Sequence, residues 1–516
     1  MTPIKRPGRL GGTKSKTGCD TCKIRRVRCG EEKPHCLRCA STGRRCRYST
    51  VSTSRATERP QLQLAPFSNQ GSRERRAFEY YFHHAGPSLS GVLDHSFWRG
   101  SVLQVCRLEP VIWDAIISLS ALYERPPLHE TPPERLISEP AAVRHCYHRE
   151  ALVWYSRSLS LLQQRINQGM ADLTVSLISC VLFIAIELLQ GNRKAAQLLY
   201  NQGARMMVSA LSAPTSTIAA LEPIFRRIGT WVFVTNGVSD ECWELDLDIP
   251  DKCFVSICDA RNVLCGIVAE LKTLNIDSKA HLRLTGDSRL HEVPELDARK
   301  QRLKSRLHQW HHLFTLLQPV QDTSVDGATA LLMMTYTSVL IEAEACLYVD
   351  QSVYDSYEHE FSQIISWAPT AVAWTCSSDG KQPPFMFEMG VFIPLFITGL
   401  KCPFPQLRRR ALQYLWEAPP AQGLFMCVPA GHIVATIIGL EENPTSIPQQ
   451  ASDVYDLLAQ PGHIPAPENR TYDFNVSSSV DEEGKLRNRL HYTLHHFDAE
   501  GRIEFVERMV PFPAVK

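Results

Sequence analysis

The chain has 516 residues, 44% hydrophobic and 21% charged, which is ordinary for a globular protein and gives room for two to four domains. A net charge of +1 hides a split: residues 1–50 carry 14 Lys and Arg against 3 Asp and Glu, and the remainder carries 41 against 51. No apolar run opens MTPIKRPGRLGG, which argues against a secretory signal. The most apolar stretch, Val175–Gln190, is shorter than the ~20 residues that a membrane span needs, so a soluble intracellular protein with no membrane partner is expected.

A basic head on an acidic body suits a polyanion-binding module joined to a body that contacts other proteins. Residues 1–16 are rich in Gly, Pro, Lys and Arg without apolar periodicity and read as a disordered basic arm. Residues 17–48 hold six of the seventeen cysteines, spaced C-x2-C-x6-C-x6-C-x2-C-x6-C, so one C-x2-C-x6-C unit occurs twice. In an intracellular protein, clustered cysteines are metal ligands before they are disulfides. Two zinc ions need eight thiolate bonds for tetrahedral coordination, and six thiolates supply eight only if two of them bridge. The doubled unit offers a natural solution: Cys19 and Cys36 bridge, Cys22 and Cys29 complete one metal, and Cys39 and Cys46 complete the other. Two Zn2+ per chain would then supply most of the folding free energy of so small a core. The eleven other cysteines, Cys106 to Cys427, lack paired spacing and read as small buried hydrophobes.

The array, with the basic run KIRRVR after its second cysteine and Pro34 between its halves, resembles the fungal Zn2Cys6 binuclear cluster DNA-binding domain. That resemblance implies a short helix after the second cysteine that enters the major groove and reads a CGG triplet. The base-reading position falls on Arg26, with Arg25 beside it in the groove and Lys23 and Arg28 on phosphates. Arginine also has the donor pair that matches guanine O6 and N7. In the second half, Arg38, Arg44, Arg45 and Arg47 suit backbone contacts, which position without reading sequence. The implied partners are double-stranded DNA and transcriptional coregulators, in the nucleus.

Residues 49–72 are rich in Ser, Thr, Gln and Pro and read as a flexible linker without a heptad repeat, so a homodimer or heterodimer would have to form through the body. Residues 73–442 have the composition of a helical regulatory domain. The predicted elements are a helix from residue 73 broken at Gly86-Pro87, helices over Pro110–Tyr123, His145–Asn167, Leu173–Gln190 (buried and central) and Lys194–Ala210, and a helix presenting Leu303, Leu307, Trp310 and Phe314 on one face. Stretches such as FEYYFHHAGPSLSG, ISCVLFIAIELLQGNRKAAQLLYNQGARMM and IPLFITGLKCPFPQLRRRALQYL resemble the fungal-specific transcription factor regulatory domain. In Thr235–Asp251, acids alternate with Trp243, Leu245, Leu247 and Ile249, a pattern open to reading as an activation segment or as a surface loop. Residues 443–516 read as a mobile segment followed by a β-hairpin of Leu490–Phe497 and Arg502–Val510.

The expected fold class is thus mainly α: a small zinc cluster domain, a linker, a large helical domain and a C-terminal hairpin. His83-His84, His311-His312 and His495-His496 have no ligand partner at metal spacing, and no phosphate loop, nucleophile elbow, HExxH or dinucleotide motif occurs, so no enzyme is expected. A nuclear regulator of RNA polymerase II genes that reads CGG-like half-sites is the leading reading. A zinc-stabilised protein-interaction module and a ligand-sensing helical regulator are the alternatives.

Overall fold

A computed structural model describes residues 17–48, 71–91, 93–131, 141, 145–211, 215–236, 248–286, 288–317, 323–377, 379–446, 451–480, 486–497 and 503–512. The chain divides into two compact units, Met1–Gln70 and Gly71–Lys516. The basic arm, most of the linker and the acidic core of Thr235–Asp251 lie outside the described residues.

The first unit carries two short helices, α1 (Asp20–Ile24) and α2 (Leu37–Ala40), one in each half of the cysteine repeat. Its buried core is the six cysteines, with Val27 and Tyr48 packed against them.

The second unit is mainly α-helical. It begins with α3 (Ser72–Tyr80), a π-helical turn over Tyr81–Ala85 and α4 (Gly86–Ser90). The sequence predicts a break at Gly86-Pro87, but the helical path continues. Pro87 falls in the first turn of α4, where its missing N–H costs little, and the preceding π turn absorbs the change of register. Gly86 suits the turn, because a Cβ would lie 3.0 Å from the Tyr81 carbonyl oxygen, tighter than an ordinary contact. After α5 (Val102–Cys106), Pro110 starts α6 (Pro110–Glu124), buried along most of its length. The amphipathic α7 (Cys146–Asn167) lies along α6, where Ser158 Oγ donates to the Val111 carbonyl oxygen at 2.7 Å.

Helix α8 (Leu173–Leu189) is apolar almost all round and is buried all round, as a central helix must be. Each fully buried Leu or Ile there contributes about 1.5–3 kcal/mol. Its N-terminus is capped by Asp172, whose Oδ1 accepts the Val175 N–H at 2.9 Å. Helices α9 (Arg193–Ala210) and α10 (Ser216–Asn236) pack on it. Their close approach depends on Gly203, where a Cβ would sit 2.6 Å from both Cys180 Sγ and Phe225 Cε1.

A second hydrophobic cluster is built by α11 (Ile257–Thr285), α12 (Pro294–Thr315) and α13 (Thr323–Ala345). Leu303, Leu307, Trp310 and Phe314 all point into it, as their helical spacing predicts. Trp310 Nε1 donates to the Ala260 carbonyl oxygen at 2.7 Å, which satisfies the indole inside an apolar core.

The larger cluster resumes through α14 (Glu358–Thr375), α15 (Phe392–Lys401), α16 (Pro405–Glu417), a tight hairpin of β1 (Ala421–Gln422) and β2 (Phe425–Met426), and α17 (Cys427–Glu442). Beyond α18 (Ala451–Ala459) the chain forms an antiparallel sheet in the order β3 (Asp473–Val480), β4 (Leu486–Phe497) and β5 (Ile503–Pro511). The predicted hairpin is therefore two strands of three. The third lies in the stretch read as mobile, where Asp473 faces Thr493 and Val480 faces Leu486. Tertiary anchors hold this polar strand: Lys401 Nζ donates to the Thr471 and Tyr472 carbonyl oxygens at 3.0 Å each, and Lys279 pairs with Asp473 at 2.9 Å.

Four charges are buried together in the helical unit. Asp94 precedes a π-helical turn (Ser96–Ser101), Arg227 lies on α10, Arg261 on α11, and Glu388 precedes α15. Arg227 Nη2 is 2.6 Å from Asp94 Oδ2, and Arg261 reaches Asp94 Oδ1 at 3.0 Å and Glu388 Oε2 at 2.8 Å. Burial would raise the Asp94 carboxyl, but the two guanidinium groups outweigh it and hold the carboxyl below its ordinary value.

The scattered cysteines divide. Cys106, Cys180, Cys265, Cys402 and Cys427 are buried as expected, and Cys258, Cys346 and Cys376 are half-buried. Cys146 and Cys253 are exposed, contrary to the expectation for small hydrophobes, because they flank helix starts at the surface and not an apolar face.

Candidate metal centre and nucleic-acid interface

The C-x2-C spacing places two cysteines one helical turn apart. Cys19 is the N-cap of α1 and Cys22 lies within it; Cys36 is the N-cap of α2 and Cys39 lies within that. The sequence repeat is also a repeat of geometry. The Cys19 N–H donates to Cys29 Sγ at 3.3 Å, and the Cys36 N–H donates to Cys46 Sγ at 3.3 Å. In both halves the carbonyl oxygen of the first cysteine accepts a helical N–H at 3.0 Å, from Lys23 and from Ala40.

The two helix starts meet at their sulfurs. Cys19, Cys22, Cys36 and Cys39 bring their Sγ atoms within 4.8 Å of one another. Cys19 and Cys36 are 3.7 Å apart, Cys19 and Cys39 3.6 Å, Cys22 and Cys36 3.7 Å, and Cys22 and Cys39 3.9 Å. A disulfide would need about 2.05 Å, so these four are not bonded to one another. A tetrahedral site with zinc–sulfur bonds of about 2.3 Å has sulfur–sulfur edges of about 3.8 Å, and the observed spacings fit that donor set. Cys29 and Cys46 are buried in the same cluster but fall outside the mutually close quartet.

Electrostatics separate Cys19 and Cys36 from Cys22 and Cys39. Burial pushes the Cys22 and Cys39 thiols up to about 12. Burial also works against the Cys36 thiolate, yet the Cys39 backbone and the neighbouring sulfurs bring it down to about 6. Cys19 is lowered in the same way, with the Cys22 N–H donating to its sulfur at 3.4 Å.

Contacts beyond the cysteines close the unit. The Asp20 N–H donates to the Arg47 carbonyl oxygen at 2.9 Å, and Thr21 Oγ1 donates to the Arg45 carbonyl oxygen at 2.8 Å, which ties the end of the array to its start. Glu32 Oε2 accepts the Leu37 N–H at 3.1 Å. Tyr48 donates its hydroxyl to the Glu32 carbonyl oxygen at 2.9 Å and lies 3.7 Å from Cys29 Sγ. Sequence reasoning missed Tyr48 and Glu32. Their spacing carries no ligand signal, and only the folded loop brings them to the cluster.

The cations face outward. Lys23, Arg26, Arg28, Arg38, Arg44, Arg45 and Arg47 are exposed and Arg25 is half-buried. Helix α1 ends at Ile24, so Arg26 lies just past it and not on it. Its φ of +53° is left-handed, and its N–H donates to the Lys23 carbonyl oxygen at 3.1 Å. The Val27 N–H then donates to the Cys22 carbonyl oxygen at 3.1 Å and closes the helix end. The helix is this short because Cys29 must turn back to the sulfurs.

Among the described residues, no helix is long and apolar enough to cross a membrane. Residues 17–55 match the model of the fungal Zn(2)-Cys(6) binuclear cluster domain, and residues 76–230 match that of the fungal specific transcription factor domain. The chain is 44% identical over 68 residues to the aspercryptin biosynthesis cluster-specific transcription regulator atnN of Emericella nidulans, which covers 13% of this chain and 11% of that protein. It is 44% identical over 43 residues to the transcription factor lfc1 of Flammulina velutipes (8% of this chain, 15% of the relative). It is 50% identical over 38 residues to the sterol uptake control protein 2 of Saccharomyces cerevisiae (7% and 4%). The matched segments thus span only a small part of these relatives. No solved structure gave a significant match. The matched domain type and the four close sulfurs identify a zinc-binding site. The chain thus carries a match to the binuclear zinc cluster domain followed by a match to the fungal specific transcription factor domain, and the relatives it resembles are fungal transcription regulators.

Proposed function

We propose that the chain is a nuclear, sequence-specific DNA-binding regulator of RNA polymerase II genes, and that its cluster domain holds two Zn2+ and reads CGG-like half-sites. One observation carries the reading: a sulfur cluster organised by two helix starts, with the KIRRVR cations displayed around its first helix. Cys19 and Cys36, the first cysteines of the two repeats with their sulfurs 3.7 Å apart at the two helix starts, would hold both ions. Cys22 and Cys29 would complete one zinc site and Cys39 and Cys46 the other, an arrangement that needs Cys22 and Cys39, 3.9 Å apart here, to separate onto different ions. Zinc supplies the cross-link that fixes α1 against α2, and the protein's own groups make the DNA contacts. Arg26 takes the guanine O6 and N7 edge, with Arg25 beside it. Lys23, Arg28, Arg38, Arg44, Arg45 and Arg47 hold phosphates. The acidic helical body makes the contacts to coregulators.

The test uses the zinc-loaded full-length chain at ~150 mM salt, with duplexes carrying CGG half-sites against scrambled duplexes, since phosphate binding alone weakens steeply with salt. Two zinc ions per chain and preferential retention of CGG duplexes are expected; equal retention overturns the specificity. Arg26→Ala should cost about 1–3 kcal/mol on the preferred duplex and relax selectivity at one base pair, whereas Lys23→Ala should weaken all duplexes alike. No effect of Arg26→Ala would point to a protein-interaction module. For a ligand-sensing body, the space beneath Arg261 and Glu388 holds about 20 Å³, room for one water, whereas a cleft of about 880 Å³ lined by Asp355, Glu358, His359 and Phe404 opens at the surface of the helical body.

A further inference from the structure

Single exposed aliphatic side chains are common on protein surfaces and mean little alone. Ile24 stands out by its place. It is the last residue of α1 and 83% exposed. Cys22, two residues earlier on the same helix, is fully buried among the sulfurs. Two helical residues differ by about 200° around the axis, so Ile24 projects away from the cluster. Exposed Lys23 precedes it, and half-buried Arg25 and exposed Arg26 and Arg28 follow within four residues.

Under the DNA-reading function above, α1 faces the major groove of a duplex whose phosphates these cations hold. In that groove the apolar feature of the base edges is the C5-methyl of thymine. We propose that Ile24 is a specificity-determining residue that packs on a thymine C5-methyl group beside the base pair taken by Arg26, an assignment that rests on the DNA-reading function above. Leu37 provides an internal comparison. It is 68% exposed at the start of α2, but that helix carries a single cation, Arg38, and the Glu32 carboxylate sits on the Leu37 N–H.

The experiment begins with duplexes selected from a random pool by the zinc-loaded full-length chain. Each thymine of the selected site is then replaced singly by deoxyuridine, which removes only the methyl group, and affinity is read by fluorescence anisotropy. One thymine is expected at which uracil weakens binding about four-fold, the worth of one buried methyl group. Ile24→Ala, matched to the parent in zinc content, should bind the thymine and uracil duplexes equally at that position, and Leu37→Ala should keep the four-fold difference. Uracil tolerated at every position by the parent chain overturns the assignment, as does a penalty that survives Ile24→Ala. If no preferred sequence emerges from the pool, the DNA-reading function itself falls. A preferred sequence without any uracil penalty removes only the role of Ile24.

Discussion

Replacing Arg261 by Met should destabilise the helical unit by about 3–5 kcal/mol, the usual cost of removing one partner from a buried ion pair. The side chains of Arg227 and Arg261 are 1% and 3% accessible, and two cations balance two carboxylates. Met keeps most of the packing volume of the arginine stem and removes its charge. Asp94 retains Arg227 at 2.6 Å, but Glu388 loses its 2.8 Å partner and is left with Arg227 Nε at 3.9 Å and the Met389 N–H at 3.2 Å, so the cost falls mainly on Glu388. Adding Glu388→Gln should recover most of the loss, because a neutral pair in place of a buried ion pair is often tolerated. Urea unfolding of the zinc-loaded chain followed by tryptophan fluorescence is the assay. Trp98 and Trp231 both pack on Phe387, each with a ring separation of 5.1 Å, directly beside Glu388. A lowered midpoint for Arg261→Met and a largely restored one for the double variant are expected. A single-variant cost below about 1 kcal/mol, or a double variant as unstable as the sum of both singles, would refute the reasoning.

Zinc content separates the ligands. Cys36→Ser should lose both zinc ions and Cys46→Ser only one, measured by metal release into a chromogenic chelator; equal losses would remove the bridging assignment. His432 gives a pH signature. Burial pushes its imidazole down to about 4, below the unfolded value near 6.5. Between those values the unfolded chain binds the proton and the folded chain does not. Its contribution is therefore complete above pH 6.5 and is lost as pH falls towards 4, on the order of 3 kcal/mol. His432→Gln should flatten the stability curve in that window, and an unchanged slope would dismiss the contribution. Gly203→Ala should lower the unfolding free energy by about 1–3 kcal/mol, since its Cβ would sit 2.6 Å from Cys180 Sγ; a neutral effect would show that α9 can shift away from α8.

The cysteine cluster was legible because its members are close in sequence. A C-x2-C step at a helix start leaves few arrangements, and the doubled unit repeats the same local fold at Cys19 and Cys36. The helices around Pro110, Leu173 and Leu303 were legible for a related reason: apolar residues at a 3.6-residue period must share a face, and that face must be buried. The break assigned to Gly86-Pro87 and the mobility assigned to the stretch before β4 were misread because both signals are local. A π turn accommodates the proline, and Lys401 and Lys279, 70 or more residues from the strand in sequence, hold it in place.

By itself, then, the sequence determined the cysteine pattern, the charge split and the periodic helices, since each is set by neighbours within a few turns of chain. Tertiary structure alone decided that Arg26 leaves the helix in a left-handed conformation and that Tyr48 closes the sulfur cluster. It alone brought Asp94, Arg227, Arg261 and Glu388 into one buried network from positions 133 and 167 residues apart. Spacing along the chain carries no sign of that convergence, which exists only once separate helices pack around a common core.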